Sequence, residues 1–428
     1  MNDKLHILYI SSASLVNGPG TASRGHISLL KNGGYDVDVL TLYREPSLPE
    51  VMFVKKKSIA IKFVDIFKRF FLRKHFPGYP HYFFYKKETQ PPVPVSKVLE
   101  TIKKDYNLVI IYFWQNLLSF RTVEAIYDKL NHPLFFFLSP DYSHMSGGCH
   151  FTCDCQRYQT GCGCCPAWNS KDEGDFTHWN FQDRIRIYEK VKPVVFGNSY
   201  MNIFYQKSLL LRNARIEIYP PYFDTSRFNP VEKSIARAKF GISKLKSFII
   251  AFGCQELLDP RKGIDYLEKA LLVFESKLPK DERKSILLLV AGKDFDSIKD
   301  SLPFSSIGVG YLPLNRLAEF YSAADIFICP SVDDAGPLMV SQSIACGTPV
   351  VGFKMGAMLD CVYNKGTGYC AELKDCEDLA SGIEKYYLMS KEDYENASIR
   401  CVEFAREHSN PVKRVNRWIE IYNKYKSM

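Results

Sequence analysis

The stretch Pro330-Ser-Val-Asp-Asp-Ala-Gly-Pro-Leu-Met-Val-Ser-Gln-Ser-Ile-Ala-Cys-Gly-Thr-Pro-Val-Val351 puts two carboxylates in a small-residue loop. An apolar run ends before the loop at Pro330, and a helical pattern starts after it near Leu338 and stops at Gly347. Backbone N–H groups at a helix start form a seat for an anion, whereas neighbouring carboxylates accept hydrogen bonds from hydroxyls. The loop therefore suits a ligand that carries both phosphate and hydroxyl groups. A second polar turn, Cys254-Gln-Glu-Leu-Leu-Asp-Pro-Arg-Lys-Gly263, follows the apolar run 248–253 and brings Arg261 and Lys262 to the start of another helical pattern. A third set lies after the run 133–139, where Asp141 and His144 are the polar groups.

Thirteen cysteines are present, and six of them fall between Cys149 and Cys165. The pair Cys162-x2-Cys165, preceded by further thiols, fits a tetrahedral zinc site or an iron–sulfur site, with free buried thiols and disulfides as the alternatives. The other seven stand in apolar surroundings and read as small buried hydrophobes.

These groups must be held by two series of elements. The 428 residues suggest two or three domains, and 46% hydrophobic with 24% charged residues excludes collagen-like, disordered and coiled-coil chains. Short runs rich in Val, Ile and Phe alternate with amphipathic stretches, the pattern of βα units in parallel sheets covered on both faces. A first set of strands is expected at 5–11, 36–42, 108–113, 133–139 and 193–198. A second is expected at 248–253, 286–291, 307–311, 326–329 and 349–353. Helices are expected at 23–31, 122–130, 263–278, 313–324, 338–346 and 376–388. The prolines of Glu217-Ile-Tyr-Pro-Pro-Tyr-Phe-Asp224 mark a crossing between domains 1–225 and 226–410. Val415, Trp418, Ile419 and Tyr422 recur at helical spacing in a closing segment, 411–428, that packs back on the body. Two open α/β halves imply a ligand cleft between them, at the carboxyl ends of the strands.

No apolar run reaches the roughly 20 residues of a membrane span, and the N-terminus lacks a signal-peptide layout, so a cytoplasmic protein is expected. The net charge of +9 is concentrated. Residues 55–76 hold eight Lys or Arg against one acid, Asp65, which is +7 of it. On a helix, Ile59, Phe63, Ile66, Phe67, Phe70 and Phe71 share one side, a pattern suited to the surface of an anionic membrane or to an ordinary core-covering helix. No nucleic-acid recognition motif accompanies the charge, so no nucleic-acid partner is expected.

The segment 330–351 resembles the nucleotide-sugar loop of the retaining glycosyltransferases of family four: a Pro-Ser strand end, an acid, a small-residue loop, a second polar position eight residues on, then Ala-x-Gly-x-Pro-Val. The Lys262-Gly263 turn and the glycine-containing segment Ser11-Ser-Ala-Ser-Leu-Val-Asn-Gly-Pro-Gly-Thr-Ala22 are similar to that family's other loops. The resemblance implies a GT-B fold, two Rossmann-like domains facing a central cleft, and transfer of a sugar from a nucleoside-diphosphate donor to an acceptor hydroxyl with retention. It implies no cofactor for catalysis. Asp334 would accept bonds from donor-sugar hydroxyls, and Gly336, Pro337 and Leu338 would line the sugar and diphosphate. Lys262, helped by Arg261, would neutralise the departing diphosphate. Gly18 and Gly20 would let backbone approach phosphate or acceptor, and Asp141 would orient or deprotonate the acceptor hydroxyl.

Three positions depart from the family pattern. Gln342 stands where a Glu grips the ribose, Cys254 where an Arg is common, and Pro140 where a His precedes Asp141. These departures motivate an inactive membrane-surface assembly subunit as an alternative, beside a nucleotide-sugar epimerase or hydrolase on the same fold. Polysaccharide-building relatives carry a similar Gly-Gly-Cys-His insert, and that pattern selects Cys149, Cys155, Cys162 and Cys165 as ligands of a structural zinc. A glycan or lipid-linked acceptor follows from the same resemblance, and the basic segment 55–76 would bring such an enzyme to the inner face of the membrane.

Overall fold

The computed structural model describes residues 5–15, 20–45, 51–54, 87–138, 141–219, 222–243, 245 and 247–426. Gly18, Pro140 and the basic segment 55–76 lie outside the described residues. The chain forms two compact units, one of residues 1–197, 201–219 and 411–428, the other of 198–200 and 220–410.

The first unit is built on a seven-stranded sheet of β1 (His6–Ser11), β2 (Asp36–Thr41), β3 (Val51–Phe53), β4 (Leu108–Phe113), β5 (Leu134–Leu138), β6 (Val194–Gly197) and β7 (Arg215–Ile218). All neighbours are parallel, in the order β3-β2-β1-β4-β5-β6-β7. The direction of winding reverses between β1 and β4, and in such sheets the loops leaving the carboxyl ends at the reversal spread apart and leave room for a ligand. One face is filled by Ile7, Tyr9, Leu108, Ile110, Phe136 and Phe196. The segment around Glu217, expected as the crossing between domains, begins with β7. Glu217 is held there by Arg417 at 2.9 Å, Lys424 at 2.7 Å and the Tyr425 hydroxyl at 3.0 Å, all from the last helix, Pro411–Tyr425. Trp418 of that helix is buried against His26 and Tyr219.

The second unit repeats the plan with β8 (Phe248–Glu256), β9 (Ile286–Lys293), β10 (Ser305–Gly310), β11 (Ile326–Cys329), β12 (Val350–Phe353) and β13 (Gly368–Ala371). Its order is β10-β9-β8-β11-β12-β13, again all parallel, with the reversal between β8 and β11. Along β8 and β9, Ile249, Ala251, Leu287 and Leu289 enter one apolar cluster while Phe248, Ile250, Ile286 and Leu288 enter the other. Burial on both faces explains why these strands are apolar without interruption. The expected strands and long helices lie within a few residues of the observed ones; β3, β7 and β13 are additional. Among the described residues no helix is long and apolar enough to cross a membrane.

Candidate active site

Strand order decides which polar groups meet in the second unit. Because β8 and β11 are neighbours, the turn after β8 and the loop after β11 leave the sheet side by side. Val332 N donates to Arg261 O at 2.8 Å, stitching the two together. Asp259 caps the short 3-10 turn Pro260–Lys262 by accepting from Arg261 N at 3.0 Å, and Gly263 ends it at φ +72°. A Cβ at Gly263 would stand 1.9 Å from the Pro330 carbonyl oxygen, so only glycine allows this approach. The helix Ile264–Ser276 starts immediately after.

The result is an ion pair between Lys262 Nζ and Asp334 Oδ2. The other carboxylate oxygen, Asp334 Oδ1, accepts from Gly336 N at 3.0 Å. Burial disfavours both charges, but the Asp334 carboxylate holds the Lys262 ammonium above its ordinary pKa, and Lys262 holds Asp334 below its own. Lys262 is thus a permanent cation, placed beside a carboxylate and two helix N-termini. Pro337 caps the helix Leu338–Ala345, and Leu338 is 37% exposed. Such a group can hold a diphosphate through charge and amides, and sugar hydroxyls through the carboxylate.

Two expected donor contacts are otherwise engaged, and one departure brings no charge. The Arg261 guanidinium donates to Asp259 Oδ2 at 2.5 Å. Gln342 Oε1 accepts from the Tyr321 hydroxyl at 2.8 Å, which leaves its NH2 as the group for a ligand. Cys254 brings no charge, since burial pushes its thiol up to about 12.

In the first unit Gly20 begins the helix Gly20–Asn32, close against Ser14. Asp141 is 3% exposed. Its Oδ2 is paired with His150 Nδ1 and accepts from Gln115 Nε2 at 3.1 Å, and its Oδ1 accepts from Ser143 N at 2.9 Å. Burial pushes this carboxyl up, but the His150 imidazole and the Ser143 donors outweigh it and hold it well below the usual carboxylate range. His150, which sequence reasoning passed over, is the more open partner, with 17% of its side chain exposed against 4% for Asp141. The Gly-Gly-Cys-His insert that carries it was the available signal. His144 is instead buried edge-on against Tyr205 at 4.9 Å, and burial pushes its imidazole down to about 4.

Cys149, Cys155, Cys162 and Cys165 line one cavity of about 30 Å³; Cys153 and Cys164 do not. Gly147 N donates to Cys162 Sγ at 3.2 Å. Burial, then the neighbouring Cys162, Cys165 and Cys155 thiols, pushes Cys149 well up, a crowding of sulfurs that a dication relieves. As the side chains stand, no three or more His, Cys, Asp or Glu among the described residues are gathered to hold an ion.

Residues 235–407 match the family model described as glycosyl transferases group 1, so the match falls within the second unit. D-inositol 3-phosphate glycosyltransferase from Arthrobacter sp. (strain FB24) is 29% identical over 178 residues, 40% of this chain and 42% of that protein. The corresponding protein of Mycobacteroides abscessus is 28% identical over 197 residues, 44% of this chain and 42% of its own. The chain therefore spans less than half the length of the curated relatives it matches. Among solved structures, sucrose-phosphate synthase from Thermosynechococcus elongatus superposes with a TM-score of 0.66 at 18% identity, covering 98% of each chain. Anabaena HepE in complex with UDP-glucose gives 0.63 at 15%, covering 98% of this chain and 100% of that one. The fold is the GT-B fold of these enzymes: two parallel-sheet α/β domains with a helical C-terminus.

Proposed function

We propose that the protein is a retaining glycosyltransferase that moves a hexosyl group from a nucleoside-diphosphate sugar to an acceptor hydroxyl in the building of a cell-surface polysaccharide. The observation that carries the reading is the Lys262–Asp334 pair where β8 and β11 release their loops, within the segment that matches the group 1 family. In the reaction the bond from the anomeric carbon to the diphosphate oxygen breaks. A bond from that carbon to the acceptor oxygen forms, and the hydroxyl proton leaves with the diphosphate. Lys262 and the helix amides stabilise the charge that develops on the diphosphate, the kind of preorganised donor set that needs no cofactor. Asp334 holds the sugar hydroxyls, and Asp141 with His150 orients the acceptor hydroxyl. Incubation of the protein with radiolabelled nucleotide sugars and a lipid-linked glycan tests the assignment. Labelled glycan supports transfer, whereas free sugar alone indicates a hydrolase and no turnover an inactive subunit.

The four thiols that share a cavity are assigned to a structural zinc outside the reaction, which would clamp the loop that carries His150. Elemental analysis of the purified protein is expected to find one zinc per chain, falling to none in Cys162→Ser. A metal-free protein of unchanged stability contradicts it. The basic segment 55–76 is assigned to contact with the cytoplasmic face of the membrane, where each Lys or Arg near an anionic surface contributes about 1 kcal/mol. In flotation with anionic vesicles the protein should rise with the lipid. Reversing the charges of 55–76 should leave it at the bottom, and unchanged flotation removes the assignment.

A further inference from the structure

The loop between β11 and the helix Leu338–Ala345 contains one peptide unit held at both ends. Its N–H, from Gly336, donates to Asp334 Oδ1 at 3.0 Å. Its carbonyl, from Ala335, accepts from the side-chain amide of Asn198, a residue 137 positions away and outside the segment that matches the family. Ala335 is 1% exposed and Asn198 5%, so the Ala335 oxygen has little recourse to water. The next residue, Ser199, fixes the position of Asn198. Ser199 N donates to Asp360 Oδ2 at 3.0 Å and its hydroxyl to Asp360 Oδ1 at 2.5 Å, on the helix Ala357–Cys361. That helix follows Gly356, whose Cα lies so close to the loop that a Cβ there would stand 2.9 Å from the Asp334 carbonyl oxygen.

We propose that Asn198 is a positioning residue for the donor site: it locks the 335–336 peptide plane, and through the Gly336 amide it fixes the carboxylate of Asp334 toward Lys262. Gly336 makes the lock necessary, because a glycine leaves the plane free to turn over at little steric cost. A flipped plane would aim the Ala335 oxygen at Asp334 and take away one of the two donors that hold the carboxylate. The inference rests on the reading of Asp334 and Lys262 as donor-binding groups.

Two measurements on the full chain separate the lock from that reading. Hydrogen exchange followed by mass spectrometry reports the loop without any ligand. In Asn198→Ala, exchange of the Gly336 amide should quicken about tenfold, the scale of one lost buried hydrogen bond, with the rest of the second unit unchanged. Calorimetric titration with whichever of UDP, GDP and ADP the wild-type protein binds should show a Kd about tenfold weaker in Asn198→Ala and in Asn198→Asp, whose carboxylate cannot donate to a carbonyl. Adding Gly336→Ala to Asn198→Ala should recover most of both effects. An alanine stiffens the plane, and its Cβ, 3.2 Å from the Asn198 amide in the native protein, gains room once that amide is gone. A merely structural role for Asn198 would not be repaired in this way. Native exchange and native nucleotide affinity in Asn198→Ala, or a double variant no better than the single, overturns the proposal. Quickened exchange together with no binding of UDP, GDP or ADP by the wild-type protein leaves the lock standing and removes the donor reading.

Discussion

Replacing Lys262 by alanine is expected to lower kcat by about 10²–10³, the range found when one preorganised electrostatic stabiliser is removed from an active site. Lys262 can have so large an effect because its ammonium is delivered by a rigid turn. Asp259 caps that turn, Gly263 closes it, and Val332 ties it to the facing loop. In the proposed reaction the charge would cost no reorganisation as the diphosphate departs. Its removal also takes the ion-pair partner from the 8%-exposed Asp334 carboxylate, at the place where the proposed diphosphate would approach. Ground-state binding of the nucleotide sugar should weaken as well, but by less than kcat falls, because the extra negative charge appears on the diphosphate only as its bond to the anomeric carbon breaks. Steady-state kinetics and thermal melting of the variant decide the matter. Near-wild-type turnover in a folded Lys262→Ala protein removes Lys262 from the mechanism.

The largest effect on stability is expected at Arg184. This side chain and Glu88 are both fully buried and paired at 2.8 Å. Arg184 also donates through Nη1 to the carbonyls of Ser143, at 2.6 Å, and Ser146, and its guanidinium lies 5.1 Å from the Trp114 ring centre and 4.8 Å from that of Phe120. Glu88 in turn accepts from Phe120 N at 2.6 Å. Taking away one partner of a buried ion pair strands the other charge, at a cost of about 3–5 kcal/mol. Arg184→Met should therefore lower the midpoint of the first unit by about 10 °C, on the scale of 2–4 °C per kcal/mol for a unit of this size. The double change Arg184→Met with Glu88→Gln should recover part of the loss, since no charge then remains buried, while the Ser143 and Ser146 carbonyls stay without their donor. A loss below about 1 kcal/mol in Arg184→Met contradicts this account of the pair.

What the sequence could show follows from the range of the interactions involved. Strands buried on both faces are visible as unbroken apolar runs, which is why β8, β9 and β11 are readable from composition alone. The four-residue β13, Gly-Tyr-Cys-Ala, has neither a run nor an alternation, and exists because Val350 to Phe353 offer it a ladder. Helix Phe176–Val191 is polar over much of its length, and its start is set by the Asp175 cap rather than by an apolar stripe. At the candidate site, residue types and loop positions are local information. The partners are not: Lys262 and Asp334 lie 72 residues apart, Arg184 and Glu88 96, and Asn198 and Ala335 137. These meetings are created by strand order and helix packing, and no spacing in the chain announces them. The same holds for His150, whose contact with Asp141 arises because the insert doubles back so that Tyr142 N donates to His150 O at 2.9 Å.

The central claim is that the second unit binds a nucleoside diphosphate through Lys262. Calorimetric titration of the full chain with UDP, GDP and ADP, in wild type and in Lys262→Ala, tests it most directly. One of the three should bind at one site per chain, and the variant should bind it at least about tenfold more weakly, the scale of a lost charge-assisted contact. Binding of none of them, or equal affinity in the two proteins, contradicts the account.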